Sequence, residues 1–164
     1  MRGARRLPER APSAAPARAR YKRPVSVLVV VYTRAGEVLL LERRVPPGYW
    51  QSVTGSLRWD EAPAAAARRE LKEETGLDAG MSLTDCRMRN RFLILPEWHH
   101  RYAPRVRYNT EHVFTLEVPR RRAVTLNPRE HVAYRWLLWS EAVRLAASET
   151  NRSAIRVICG HRQT

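Results

Sequence analysis

Cysteine is scarce: two residues, Cys86 and Cys159, in a chain of 164. A pair in no metal-binding spacing argues against a disulfide scaffold or a zinc module and suits a reducing compartment. Long apolar runs are missing too. The longest, Val25 to Tyr32, is far short of the ~20 residues that a membrane-spanning helix needs. The first 20 residues have almost no large apolar side chain, so they lack the apolar stretch of a secretory signal. Acidic residues are outnumbered, 16 against 30 Lys and Arg, for a net charge of +14. Such an imbalance favours anionic partners such as phosphates, nucleic acid or an acidic membrane surface. These shortages together predict a soluble, cytoplasmic protein without a membrane partner.

What is present divides near residue 20. Residues 1–23 carry Arg2, Arg5, Arg6, Arg10, Arg18, Arg20, Lys22 and Arg23 against Glu9 alone, which is half of the net charge. Residues 1–20 are mostly Arg, Ala and Pro and cannot bury enough surface to offset ordering entropy, so a disordered leader is expected there. Residues 21–164 read as one domain. "VSVLVVVY" (25–32) is a β-branched run of strand length, and "EVLLLERR" (37–44) completes a hairpin across "RAG". "YWQSVTGS" reads as a short strand and loop. "LTDCRMRNRFLIL", "YNTEHVFTLEVP" and "HVAYRWL" read as further strands, with a Pro/Arg/His-rich loop at 96–105. Residues 61–75 are expected to be helical, with Asp60 as N-cap, Pro63 in the first turn and Gly76 as the stop. Ser140 is the expected cap of "EAVRLAAS", and "NRSAIRVIC" has helical periodicity. Mixed β and α elements with short crossovers suggest a sheet sandwiched by helices.

The helix at 61–75 raises the functional question. Glu70, Glu73 and Glu74 stand at i, i+3 and i+4, so they share one face. At about 5 Å and an effective dielectric of about 20, each like-charge pair costs roughly 3 kcal/mol. On a helical wheel Ala64, Ala67 and Leu71 form the adjacent apolar arc, expected to face the sheet. Glu61, Arg68 and Lys72 fall on the solvent side, and Arg69 lies beside Glu73. A solvated acidic face paired with Arg69 and Lys72 is one reading. A site for a hard divalent cation is the other, since Mg²⁺ takes carboxylate oxygens together with substrate phosphates.

Residues 55–77, "GSLRWDEAPAAAARRELKEETGL", decide between them. They match the Nudix box, G-x5-E-x7-R-E-U-x-E-E-x-G-U with U aliphatic, at Gly55, Glu61, Arg69, Glu70, Leu71, Glu73, Glu74, Gly76 and Leu77. A chance match is on the order of one in a billion per starting position. The chain therefore resembles the Nudix hydrolases. The resemblance implies an α/β/α sandwich with a mixed β-sheet that cleaves a phosphoanhydride with Mg²⁺, or with Mn²⁺ in its place. Segments elsewhere, "YKRPVSVLVVVY", "LERR", "YWQSVTGS", "HRYAP", "NTEHVF", "EHVAYRWL" and "NRSAI", resemble the branch of that family that removes pyrophosphate from a pterin triphosphate. Nucleoside and dinucleoside polyphosphates are the rival substrates, because the box handles phosphates and not the base. "FLIL" at 92–95 departs from that branch, whose segment is more polar and touches substrate.

The resemblance implies metal ligation by Glu70, Glu73, Glu74 and Glu130, with Glu73, Glu74 and Glu130 in the catalytic step. Glu70 and Glu74, one turn apart, are the primary ligands and Glu73 assists. Glu130 is either a further ligand or the water-activating base, and Glu111 stands behind it for the same task. Glu61 is expected to hold the loop around Gly55. Gly55 is expected to let backbone approach the metal or phosphate closely. Strand alternation sends Arg43 and Arg44 to opposite faces, and the resemblance selects Arg43. With Lys22, Thr54, Gly55 and Ser148 it completes the substrate contacts. His99, His100, His112, His131 and His161 show no zinc spacing, and most are read as surface groups. The five tryptophans are read as core or rim residues. The partner expected is a phosphorylated small molecule. A nucleic-acid-binding module using the leader and Arg120–Arg122 is the rival from another class, and would bind with steep salt dependence.

Overall fold

Strand β1 (Val25–Thr33) is buried on both faces, and its residues alternate between two separate cores. Val27, Val29 and Val31 pack into one; Leu28, Val30 and Tyr32 pack into the other. A strand that reads as a continuous apolar run is one covered on both sides. The structure, a computed structural model, describes residues 20–80 and 82–160. The expectation of a disordered leader, Arg20 apart, lies outside the described residues, as does His161.

In chain order β1 is followed by β2 (Glu37–Arg43), β3 (Trp50–Gln51), β4 (Val53–Ser56), α1 (Pro63–Thr75) and β5 (Leu83–Leu93). A 3₁₀ turn (Pro96–Arg101), β6 (Tyr108–Val118), β7 (His131–Leu138), α2 (Trp139–Leu145) and α3 (Glu149–Gly160) complete the fold. The sheet is mixed. β6 runs parallel to β1 from Val25↔Thr110 to Thr33↔Val118, and β5 lies antiparallel beyond it. The other edge of β1 is shared by β4, Ser26–Val29 against Val53–Ser56, and by the start of β2. β2 also carries β3 and β7. Ala66, Ala67 and Leu71 of α1 join the Val27 core, while Ala142 of α2 and Ala154 and Ile155 of α3 join the Leu28 core. This is the expected α/β/α sandwich. No helix among the described residues is long and apolar enough to cross a membrane.

Three local expectations are corrected. Helix α1 starts at Pro63, with Ala62 and not Asp60 at the N-cap and no side-chain cap bond. Proline at the first position fixes φ for the helix and removes one of the N–H groups that would have no partner within it, so the start needs less help. Its stop is as expected: Gly76 is left-handed at φ 70° and donates to the Lys72 carbonyl. Ser140 caps nothing, because α2 begins one residue earlier with Leu138 at its N-cap. Ala64 is exposed, and Ala66 takes its place on the buried face.

Candidate active site

The C-terminal half of α1 lies against β4, and that packing sorts the three glutamates. Glu74 is 2% exposed and Glu70 9%, whereas the Glu73 side chain keeps 49% of its surface. One turn of helix thus points two carboxylates inward and leaves the third at the mouth.

Glu70 lies against Gly55. A Cβ at position 55 would fall 1.9 Å from the Glu70 carboxyl carbon, well inside any permitted contact. The glycine therefore makes room for the Glu70 carboxyl side chain. Burial raises the Glu70 carboxyl above its ordinary range, and a 2.7 Å bond from Arg69 Nη1 pulls the other way.

Arg69 ties the motif together. It also donates to both oxygens of Glu61, at 2.7 and 2.8 Å, to Glu73 at 3.2 Å and to the Ser56 carbonyl at 3.1 Å. Glu61 is not a solvent-facing helical residue, as the wheel had it. It precedes the helix, its side chain is 12% exposed, and it accepts from the Arg58 N–H at 3.0 Å. Its expected task of holding the loop after Gly55 agrees with these contacts. Arg69, and then the Arg58 N–H, hold its carboxyl down at about 2.

Glu74 meets the start of β7. Strand pairing sets Arg43 of β2 opposite His131, which brings Glu130 and His131 to the inner end of α1. His131 is 3% exposed, so the reading of most histidines as surface groups fails here. Its Nε2 lies 3.2 Å from Glu74 Oε2, but the N–H is not aligned for a hydrogen bond. Glu74 Oε2 and both ring nitrogens are buried and unmatched among the described residues. Glu74, Glu130 and His131 each offer a ligand atom, all within 4.8 Å of one another. Burial pushes the Glu74 carboxyl up to about 7 despite His131. Glu130 is exposed and held by Asn127 Nδ2 at 2.9 Å, and its carbonyl accepts from the Arg44 N–H at 2.7 Å. An orphaned buried carboxylate oxygen beside a second carboxylate fits a hard divalent cation, whose donors are oxygens.

Basic residues surround this cluster. Lys22, Arg43, Arg44, Arg58, Arg101 and Arg129 line a cleft of about 650 Å³ with the acids. Arg43 and Arg44 both face it, against the alternation argument, because the β2–β7 register shifts between Glu42 and Arg43 and the strand ends there. Lys22 Nζ reaches Ser56 Oγ at 3.5 Å. Partial burial, then the charge of Arg101, lowers its pKa.

Gln51, Thr54, Gly55, Ser56 and Trp98 are shared with a second, adjoining cavity of about 470 Å³. Its walls are largely apolar: Phe92, Leu93, Ile94 and Leu95, with Tyr49 and Tyr102. The departing segment "FLIL" thus stays in the cleft. Thr54, whose Oγ1 accepts from Gln51 Nε2 at 3.1 Å, stands where the halves meet. Ser148 lies in the apolar half, where its Oγ accepts from the Asn151 N–H at 3.2 Å and so caps α3. Glu111 also lines this half and not the acidic one, so it does not stand in for Glu130. The sequence reading missed His131, Asn109 and Ser26 as cleft residues. For His131 the available signal was its place at the first residue of a strand, directly after Glu130.

A box of carboxylates on a helix, a glycine opposite them and a cationic rim define a phosphoanhydride-cleaving site of Nudix type. The NUDIX domain family model matches residues 22–158, and the chain belongs to the Nudix family of hydrolases. Within it, the chain is 45% identical over 139 residues to dihydroneopterin triphosphate diphosphatase of Escherichia coli (strain K12), covering 82% of this chain and 91% of that one. The enzyme of that name from Haemophilus influenzae is 39% identical over 140 residues, covering 83% and 87%. The solved structure of the E. coli dihydroneopterin triphosphate pyrophosphohydrolase superposes with a TM-score of 0.79 at 43% identity, over 86% of this chain and 98% of that one.

Proposed function

We propose that this protein hydrolyses 7,8-dihydroneopterin triphosphate to the monophosphate and pyrophosphate in the cytoplasm. The observation that carries the reading is the two-part cleft. An acidic and basic half of about 650 Å³ adjoins an apolar half of about 470 Å³ across Thr54–Ser56. The substrate has the same two parts, a phosphate chain and a flat ring. The relatives at 39–45% identity are named for this substrate.

Glu70, Glu74 and Glu130 would hold Mg²⁺, or Mn²⁺ in its place, with Glu73 assisting from the mouth. Such a cation supplies charge neutralisation of the pyrophosphate and a more acidic water at neutral pH. The chain's own residues do the rest. Lys22, Arg43 and Arg101 attract and align the phosphate chain, because phosphoryl transfer depends mostly on position and charge. Thr54 and the backbone at Gly55 guide it between the halves, and Ser148 contacts the ring end. The exposed Glu130 carboxylate would add an oxygen donor from outside α1. Water then adds across the bond between the first and second phosphorus atoms, and its two protons leave with the products.

The test is a phosphate-release assay, with and without added inorganic pyrophosphatase, on dihydroneopterin triphosphate, dATP and a dinucleoside polyphosphate. Phosphate seen only with pyrophosphatase, and the highest kcat/KM on the pterin, is the expected result. Preference for either of the other two substrates overturns the assignment.

A further inference from the structure

We propose that His131 is a nitrogen donor to the cation, so that Glu74, Glu130 and His131 form a mixed nitrogen and oxygen site. The inference rests on the divalent-cation reading of the cleft given above. Four buried side-chain polar atoms among the described residues have no hydrogen-bond partner: Ser52 Oγ, Glu74 Oε2 and both ring nitrogens of His131. Three of the four belong to one pair of neighbouring side chains, Glu74 at 2% and His131 at 3% exposure. A single orphaned polar atom is costly, and each one in a folded protein calls for an explanation. Three together, aimed at one another beside a second carboxylate, are explained by a partner taken from outside the chain.

The geometry separates a cation from a hydrogen bond. His131 Nε2 and Glu74 Oε2 are 3.2 Å apart, yet the ring nitrogen does not point along the line between them. A hydrogen bond needs its hydrogen close to that line. A shared cation sits off it. Two bonds of about 2.1 Å across a 3.2 Å edge enclose about 100° at the ion, between the octahedral and tetrahedral angles. Glu130 offers a further oxygen within 4.8 Å of the other two ligand atoms. A neutral imidazole carries a proton on one nitrogen and a lone pair on the other. With the proton on Nδ1, the Nε2 lone pair is free for an ion, the commonest use of histidine in metal sites. One cation then satisfies Nε2 and Oε2 together. Imidazole suits borderline transition ions, whereas Mg²⁺ prefers oxygens. His131 therefore contributes more to the binding of an ion such as Co²⁺ than to that of Mg²⁺.

The experiment is pulsed EPR on the full chain, free of any histidine tag and loaded with Mn²⁺. A nitrogen coupling to the metal is expected. It should change when the histidines are isotopically labelled and vanish in His131→Gln, which keeps a polar atom near the place of Nε2. Coordination by oxygen alone, or a coupling that persists in His131→Gln, overturns the proposal. Calorimetric titration with Co²⁺ and with Mg²⁺ distinguishes donation from mere support of Glu74. Loss of an outer partner of a metal ligand costs about 10- to 100-fold in affinity, so His131→Gln should weaken Co²⁺ binding at least ~10-fold and Mg²⁺ binding much less. An equal loss for both ions would make His131 a prop for Glu74 and overturn the proposal. If His131→Gln does not fold, the converse variant carries the test: with His99, His100, His112 and His161 changed to Gln, the nitrogen coupling must survive. A wild type that binds none of these ions sinks the cation reading together with this inference. A wild type that binds them through oxygen alone sinks this inference and leaves the cation reading standing.

Discussion

The acidic half of the cleft and the apolar half share one strand but are assembled in opposite ways. Glu70, Glu73 and Glu74 come from a single 13-residue helix, and Glu61 and Gly55 lie just upstream. The apolar half draws on β1, β4, β5, β6, the 3₁₀ turn and α3. The carboxylates of the motif are thus encoded locally, whereas the walls of the ring half are brought together only when the whole sheet closes. A helix can present carboxylates one turn apart through its own geometry, but Asn90, Ser26 and Glu111 meet only when three strands pair.

If that contrast is right, single changes in the acidic half remove turnover and leave the fold. Glu74→Gln keeps shape and helix propensity but removes the charge of the most buried acid, and turnover should fall at least ~10²-fold. Glu130→Gln should fall by a similar order. A lost ligand raises the Mg²⁺ concentration needed for half activity, while a lost base changes the pH profile of turnover instead. Wild-type rates with the wild-type Mg²⁺ requirement in either variant would show that these acids neither hold the cation nor activate water. Gly55→Ala comes next. The neighbour it displaces is the end of a side chain, so the fold should survive while Glu70 is pushed aside. A tenfold or larger fall in turnover (~10-fold, about 1.4 kcal/mol) with nearly unchanged melting temperature is expected. A protein that unfolds instead would show that Gly55 serves the backbone.

The Glu61–Arg69 pair sharpens the same contrast through pH. The Glu61 carboxyl is held down from 4.5 to about 2, so the unfolded chain binds its proton first as pH falls. Stability from this pair is fully present above about pH 4.5 and is lost as pH drops toward about 2. Melting temperature followed over that window should fall less steeply in Glu61→Gln than in wild type. Parallel curves would show that the pair carries no pH-linked stability. The smallest effect is expected from deleting residues 1–19, which contain almost no core-forming side chain. Turnover and melting temperature should be nearly unchanged, and a marked loss of either would contradict the composition argument.

Much of the fold was legible because β1, β2, β6 and β7 carry apolar, β-branched runs bounded by turn residues. Helix α1 carries proline at one end and glycine at the other. What was misread shares a cause: a rule of local geometry was applied past the end of its element. The wheel ran through Glu61, which lies before the helix, and so sent it to solvent. Alternation ran through Arg44, which lies after β2 and its register shift. Of the acidic site, Glu70, Glu74 and Glu130 were legible from motif and resemblance. His131 was not, because its burial against Glu74 comes from β7 pairing with β2, a contact between residues 57 apart in sequence. Glu111 was noticed as an acid but given the wrong half, since sequence does not say into which cavity a β6 side chain opens.

Arg69 has one further consequence. Its guanidinium touches Glu61, Glu70 and Glu73 together, so a permanent positive charge already sits inside the acidic cluster. Unlike a bound ion, it can be neither chelated nor diluted away, and it stays protonated at any physiological pH. The helix can therefore leave the ribosome and dock on its sheet without waiting for a cation. Removal of the proposed cation would then switch turnover off without unfolding the chain, and resupply would restore it with no new round of folding.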